Sequence, residues 1–307
     1  MNKIKPDDLE SIDHISELEM YLPTKKNIFI VEGRSDLEFF NLLLTKTNKN
    51  IIPFVMGDKG SNNCRQDIIN LFDSIKEIQD NPNVIGVIDA DFNTNENIKY
   101  NNLKKTEFCD LDCYLIFANN FLNFVINLLV NEKIIKSIGM NPGENLEVFR
   151  KYLLTALLPL SKMRSINGEL QIPFNDILKK SPAPQRKERY KKLSKFIDKQ
   201  YYFNLELFYR YLTSNIGKYR IELSDLIEKL DLIELTNLDV VTNGHDLISL
   251  LTLLIKVNKS EYDDLKTEEA LRLTMNLEMF DEFELTRQVK IWFLSIEEQI
   301  ENKILTE

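Results

Sequence analysis

The chain is short of the residues that build covalent or soft-metal frameworks. Three cysteines, Cys64, Cys109 and Cys113, are spread through 307 residues, an odd number that argues against a disulfide-stapled scaffold. Only His14 and His245 could serve as imidazole ligands, so a structural zinc centre is hard to assemble. Nine glycines and nine prolines are too few for a fibrous or low-complexity chain. No stretch of about 18 uninterrupted apolar residues occurs. The greasiest segments, Leu115 to Val130 and Leu247 to Val257, are broken by Asn, Ser or Thr, so no membrane-spanning helix is expected. The N-terminus turns acidic at once and lacks the apolar core of a secretory signal; a cytoplasmic location is the expectation.

What remains is a globular composition, 43% hydrophobic and 28% charged, long enough for a substantial core and for about two domains. The net charge of −9 is unevenly spread. Lys179 to Arg220 carries 12 basic residues against 3 acidic, whereas Ile221 to Glu307 carries 8 against 20. The whole-chain charge is therefore a poor guide to partners.

The first third alternates β-rich runs with helical patterns. Asn27 to Val31 reads as a buried strand, followed by a helix over Ser35 to Thr45 with Ser35 as N-cap. Ile51 to Met56 is a second strand, in which Pro53 points to a sheet edge or to the strand's own first turn. Asn63 to Gln79 is a second helix, and Asn83 to Ile88 the clearest strand. Thr106 to Leu111 reads as a fourth strand ahead of an apolar helix over Tyr114 to Val130. Such alternation predicts an α/β fold, a mostly parallel sheet flanked by helices. From there the pattern is helical. Gly139, Pro142 and Gly143 interrupt the periodicity within Asn131 to Gly143, which divides the chain into an α/β domain over 1–130 and a mostly helical C-terminal domain over 131–307.

In open α/β sheets ligands gather outside the carboxyl ends of the strands. Two strands end there in acid: the first in Val31, Glu32 and Gly33, the third in Ile88, Asp89, Ala90 and Asp91. Gly33 allows a sharp turn straight after Glu32. Carboxylates brought together at one edge repel one another unless a cation neutralises them, and Glu32, Asp89 and Asp91 are the expected ligand set for a divalent metal. The plainer reading is that the turn from Glu32 to Asp36 merely caps the helix at Ser35 and that the D-x-D is an ordinary loop.

Strand, then Glu32, Gly33, Arg34, Ser35 and Asp36, then the glycine–lysine turn of Gly57, Asp58, Lys59 and Gly60, then a strand running into Asp89 and Asp91, resembles the Toprim domain of topoisomerases, primases, small ribonucleases and OLD-type nucleases. The resemblance covers Asn27 to about Asn120. It implies that Glu32 works as general acid or base and that Asp89 and Asp91 hold Mg2+. The third acid found in many Toprim sites is replaced by Asn93; Asp110 and Asp112 are candidates to compensate, or Asp112 caps the following helix.

A metal at such a site both neutralises charge on a phosphate and activates the attacking oxygen, which suits phosphodiester cleavage. Lys59 is a candidate catalytic phosphate contact, with Arg34 and Arg65 as further cations. The basic stretch, with Lys187, Arg189, Lys191 and Lys192 among interleaved aromatics, can bind RNA or single-stranded DNA, or form helical core under a solvated face. His245 is a further acid–base candidate, or a structural residue in a turn.

The overall pattern is similar to stand-alone bacterial Toprim nucleases with helical tails, including the Toprim effector of PARIS anti-phage defence. That similarity implies a tRNA substrate and an ATPase partner; a homo-oligomer is also compatible. Two other readings stay open. One is an aspartyl-phosphate phosphohydrolase acting through Asp89, which expects its D-x-D on the first strand rather than the third. The other is a non-catalytic module that binds nucleic acid or a partner through a decayed site.

Overall fold

The computed structural model describes residues 14–24, 26–47, 50–59, 63–92, 97–178, 189–215, 221–234 and 238–304. Among these, four strands form one all-parallel sheet: β1 (Asn27–Val31), β2 (Ile51–Val55), β3 (Val84–Ile88) and β4 (Leu103–Lys105). The order is β2-β1-β3-β4. β1 runs beside β2 from Asn27↔Ile51 to Val31↔Val55 and beside β3 from Ile28↔Val84 to Ile30↔Gly86. Every residue of β1 and β3 is buried, as expected of parallel strands covered on both faces.

Two compact units emerge from the contacts. The sheet unit comprises Met1–Asp89, Glu96–Thr106 and Phe283–Glu307; the helical unit comprises Ala90–Asn95 and Glu107–Glu282. The sheet unit thus takes in the last helix, Glu284–Ile304, which lies far along the sequence from the strands. On one face of the sheet Ile28, Ile30, Val84, Ile88 and Leu103 pack with Ile68, Leu71 and Phe72 of the helix Cys64–Ser74. On the other, Phe29 meets Phe40 edge-on at 5.3 Å and Phe293 at 5.2 Å. The Trp292 indole N–H donates to the Pro82 carbonyl at 2.8 Å, which sets the helix against the start of β3.

Several elements differ from the sequence reading. The fourth strand is Leu103–Lys105 rather than Thr106 to Leu111. Gly86 leaves a gap that Leu103 fills, so close that a Cβ at Gly86 would lie 2.9 Å from Leu103 Cδ1 and 3.0 Å from Phe72; this fixes the pairing at Leu103, and the ladder ends with Thr106 N–H on the Ile88 carbonyl. The helix after β1 is capped by Gly33, not Ser35, with the Asp36 carboxylate accepting the Gly33 amide at 2.7 Å. The helix expected over Asn63 to Gln79 stops at Ser74, where Ile75 turns extended. The apolar helix expected over Tyr114 to Val130 breaks at Ala118. Buried Arg150 draws the carbonyls of Ile116 (2.9 Å) and Ala118 (2.6 Å) onto its guanidinium, leaving Asp112–Phe117, Phe121–Phe124 and a π turn at Val125–Leu129. Pro53 does sit on an edge strand.

At the centre of the helical unit lies Gly244–Lys256, with Leu247, Leu250, Leu251, Leu254 and Ile255 fully buried; a helix apolar on nearly every side belongs inside a core. No helix among the described residues is long and apolar enough to cross a membrane.

Phe293 is wholly buried against Phe29. Phe293→Ala should cost the sheet unit roughly 3–5 kcal/mol through lost contacts and the cavity left behind. Urea unfolding followed by fluorescence of Trp292, the only tryptophan, reports that unit directly.

Candidate functional site

The acids singled out by sequence fall on both compact units, and each group has its own chemistry. In the sheet unit, parallel pairing of β1 and β3 brings Glu32 and Asp89 to the same carboxyl edge. The Asp89 amide donates to Glu32 Oε1 at 2.7 Å, so one strand end orients the carboxylate of the other. Arg65, in the first turn of Cys64–Ser74, donates from Nε to the Asp89 carbonyl at 2.9 Å. The Gly57 amide donates to the Glu32 carbonyl at 2.8 Å, tying the turn Met56–Lys59 to the same strand end. Lys59 lies in that turn; its side chain lies outside the described residues.

The other candidates of this unit are engaged elsewhere. Arg34 donates to both oxygens of Asp58, at 2.8 and 3.1 Å, and this exposed contact raises its pKa through hydrogen bonding and charge. Asp36 is the capping carboxylate on the Gly33 amide.

In the helical unit Asp91 adopts φ 50°, the left-handed region, with its amide donated to the Cys109 carbonyl at 2.8 Å. Asp tolerates this conformation better than most residues. Asp110 and Asp112 are buried and face the turn Asn243, Gly244, His245 and Asp246. The Gly244 amide donates to Asp110 Oδ2 at 2.9 Å. His245 Nδ1 lies 2.7 Å from Asp112 Oδ2, and Arg272 Nη2 lies 3.9 Å from Asp112 Oδ1. Arg164 grips Asp246 through two nitrogens, at 2.7 and 3.1 Å. Three consecutive residues thus tie their turn to two other parts of the unit, the Asp110–Asp112 segment and Arg164.

These partners set the titration of the two aspartates. Burial pushes Asp110 up to about 6, against the pull of His245 and the Gly244 amide. Burial also opposes the charged form of Asp112, but the charge and hydrogen bond of His245, with Arg272 beyond, hold it below the usual carboxylate range. Asp112 is the first residue of its helix rather than its cap, which is Leu111.

Asn93, and Lys187 of the basic stretch, lie outside the described residues. Arg189 is half-buried, Lys191 is exposed, and Lys192 donates to the Asp176 carbonyl at 2.9 Å. Of its aromatics, Tyr190, Phe196, Phe203 and Phe208 are buried, with Phe208 5.0 Å from Phe196 and 5.4 Å from Phe203. They build core and present no stacking surface to a base.

Among the described residues no three His, Cys, Asp or Glu side chains converge as a metal-ligand set. Mg2+ is commonly held by only one or two carboxylates, with waters and substrate phosphate completing its shell. Glu32 and Asp89 fit that mode: two hard oxygen donors at adjoining strand ends, one already oriented by an amide. Asp110 and Asp112 fit it poorly, because backbone amides, an imidazole and a guanidinium already face their oxygens.

Sequence reasoning missed Arg164, Gly244 and Asp246. The signal available was the N-G-H-D run itself, whose glycine packs where no other residue fits: a Cβ there would overlap Asp110 Oδ1 and lie 2.7 Å from Asp112 Cβ and 2.8 Å from the Cys113 amide nitrogen.

Two outcomes follow. Gly244→Ala should destabilise the helical unit by several kcal/mol, since overpacking against backbone exceeds the usual 1–3 kcal/mol, whereas Gly168→Ala, with open space around it, should be neutral or stabilising; thermal melts of both variants compare them. For Asp110, a folded pKa of about 6 against an ordinary 3.8 means the folded state keeps a proton that the unfolded state has released. Stability from this group therefore falls as pH rises from about 4 to about 6 and is level above. Asp110→Asn should gain on the order of 3 kcal/mol relative to wild type across that window, measured by urea unfolding at stepped pH.

No protein-family model matches this chain, and no curated protein matches it.

Proposed function

We propose that this chain is a Toprim-type, metal-dependent nuclease that cleaves phosphodiester bonds of nucleic acid, with Glu32 and Asp89 at its reactive edge. The carrying observation is the 2.7 Å hydrogen bond from the Asp89 amide to Glu32 Oε1, which unites the two acidic strand ends. Mg2+ or Mn2+ held there would neutralise charge building on the phosphate and make a bound water more acidic.

The protein's own groups do the rest. The Asp89 amide fixes one oxygen of Glu32 and so aims the carboxylate at which a proton is taken or returned. Arg65 holds the Asp89 carbonyl, stiffening the strand end so that both carboxylates keep their spacing. The turn Met56–Lys59, anchored through Gly57, brings the backbone of Lys59 to the same edge, where a lysine serves as a phosphate contact. A tRNA substrate, an ATPase partner, a role in anti-phage defence and work in the cytoplasm belong to the proposal as well; they are supported by the motif resemblance alone.

Purified protein incubated with tRNA and with DNA, with and without Mg2+, tests this. Cleavage should require the metal and fall at least about 100-fold in Glu32→Gln and Asp89→Asn. Equal cleavage by wild type and Glu32→Gln would overturn the reading. Calorimetry that shows nucleic-acid binding but neither Mg2+ nor Mn2+ binding would favour the non-catalytic module instead.

A further inference from the structure

We propose that the sheet unit binds a small aromatic carboxylate in a pocket at the amino edge of β3 and β4, with Lys104 as the ligand's charge partner. The pocket, about 480 Å³, lies between helix Glu284–Ile304 and the segments that lead into the two strands, and its size is that of an ordinary small-molecule site. Alternation along a strand explains what reaches it. Val84 and Leu103 pack with the helix Cys64–Ser74, so Ile85 and Lys104, one residue further on, turn to the opposite face, where Phe29 meets Phe293. Ile291 and Trp292 of the last helix wall the same space.

The walls are mostly apolar, and most of their polar groups are committed within the protein. Asn102 donates its side-chain nitrogen to the carbonyls of Ile78, Asn81 and Val84 and accepts the Asp80 amide. Asn81 donates to the Glu77 carbonyl and accepts the Asn83 amide. Gln288 donates to Glu284, Ser295 to the Trp292 carbonyl, and the Trp292 indole to the Pro82 carbonyl. Lys104 is different. It is half-buried, and burial alone pushes its pKa down, with no acid among the described residues to offset this. Asp80, the one acid lining the pocket, is exposed and takes the Asn101 amide at 3.1 Å; its charge is not among the influences on Lys104.

An ammonium held against apolar walls without a counter-charge is short of both hydration and a partner. That shortage selects among ligands. A neutral apolar molecule would desolvate Lys104 further and give nothing back. A phosphate dianion would bring two charges to one ammonium, and no arginine lines the pocket among the described residues to offer the fork that phosphate favours. An organic monocarboxylate meets the need, since its oxygens form a charge-assisted contact with Lys104 while its body covers the apolar wall. Trp292 favours an aromatic body, because ring pairs gain from edge or offset contact beyond the area they bury. Its indole is already fixed by the bond to Pro82 at 2.8 Å, so little freedom is lost when a ring packs on it. Ile291, 59% exposed, supplies further apolar surface for the ligand to cover.

The pocket lies at the strand edge opposite Glu32 and Asp89 and does not depend on the nuclease reading. Trp292, the only tryptophan, lines it and reports its occupancy. Full-length protein is titrated with 3-phenylpropanoate, 3-phenylpropanamide and acetate near neutral pH, followed by tryptophan fluorescence and calorimetry. The aromatic acid should bind in the millimolar range or tighter and at least tenfold more tightly than either its amide or acetate. Its affinity should fall as pH rises and Lys104 gives up its proton, while the weaker affinity of the amide stays level. Lys104→Met should bring the acid down to the level of the amide. Ile291→Glu, which sets a like charge on the wall at an exposed position, should weaken the acid at least tenfold; both variants should melt as cooperatively as wild type. Aromatic acid bound no tighter than its amide, or bound by Lys104→Met as tightly as by wild type, overturns the proposal. Glu32→Gln should bind the acid as wild type does whether or not it cleaves nucleic acid, which keeps the two readings apart.

Discussion

Parallel pairing of β1 with β3 is the constraint on which the proposed chemistry depends. Parallel strands present like ends to like edges, so two acids that end their strands in sequence become neighbours in space without any loop having to fold back. The pairing from Ile28↔Val84 to Ile30↔Gly86 carries the Asp89 amide to within 2.7 Å of Glu32 Oε1. A carboxylate held this way has surrendered part of its rotational freedom before any ligand arrives, and that loss would otherwise fall on binding or catalysis. Both strands are buried along their whole length, so the arrangement is rooted in the hydrophobic core, with Phe29 and Phe293 packed beneath β1.

The strand ends were legible in the sequence because their signal is local. A β-branched run followed by an acid and a glycine states both the element and where it stops, and the parallel sheet followed from alternation. What could not be read was set by partners distant along the chain. Leu103 fixes β4 by filling the space that Gly86 leaves in the neighbouring strand, and nothing near residue 103 announces this. Arg150 breaks an otherwise continuous helical pattern at Ala118 from more than thirty residues away. The aromatics between Tyr190 and Phe208 carry no local mark that separates core from binding surface, and ring packing around Phe208 decides the matter. Helix Glu284–Ile304 joins the sheet unit because Trp292 and Phe293 reach Phe29, a contact that no periodicity encodes.

The run Gly244, His245 and Asp246 shows the same limit from the other side. Read alone it is a turn that starts an apolar helix, and the helix does start there, capped by Asn243. Its second role appears only in three dimensions, where the amide of the first residue, the imidazole of the second and the carboxylate of the third each meet a group far away in sequence. The glycine is required for a different reason from Gly33: it is a matter of space, since any side chain would collide with Asp110, whose carboxylate its amide binds, and with Asp112 beside it.

Buried charges of this kind are expensive. Taking an aspartate and a guanidinium out of water costs several kcal/mol for each ion, and their mutual attraction recovers that only with good geometry and further hydrogen bonds. Packing alone could have joined the Gly244–Lys256 helix to Asp112–Phe117 more cheaply, given how apolar both are. An ionic joint does supply direction, because each pair has one geometry where apolar side chains have many. Arg164 illustrates what that direction is for: fixed by Asp246 on one side and lying over Phe174 on another, it lines two cavities beside Phe92. The cost of desolvating the Arg164–Asp246 pair is therefore tied to the placement of a single guanidinium at the wall of both cavities.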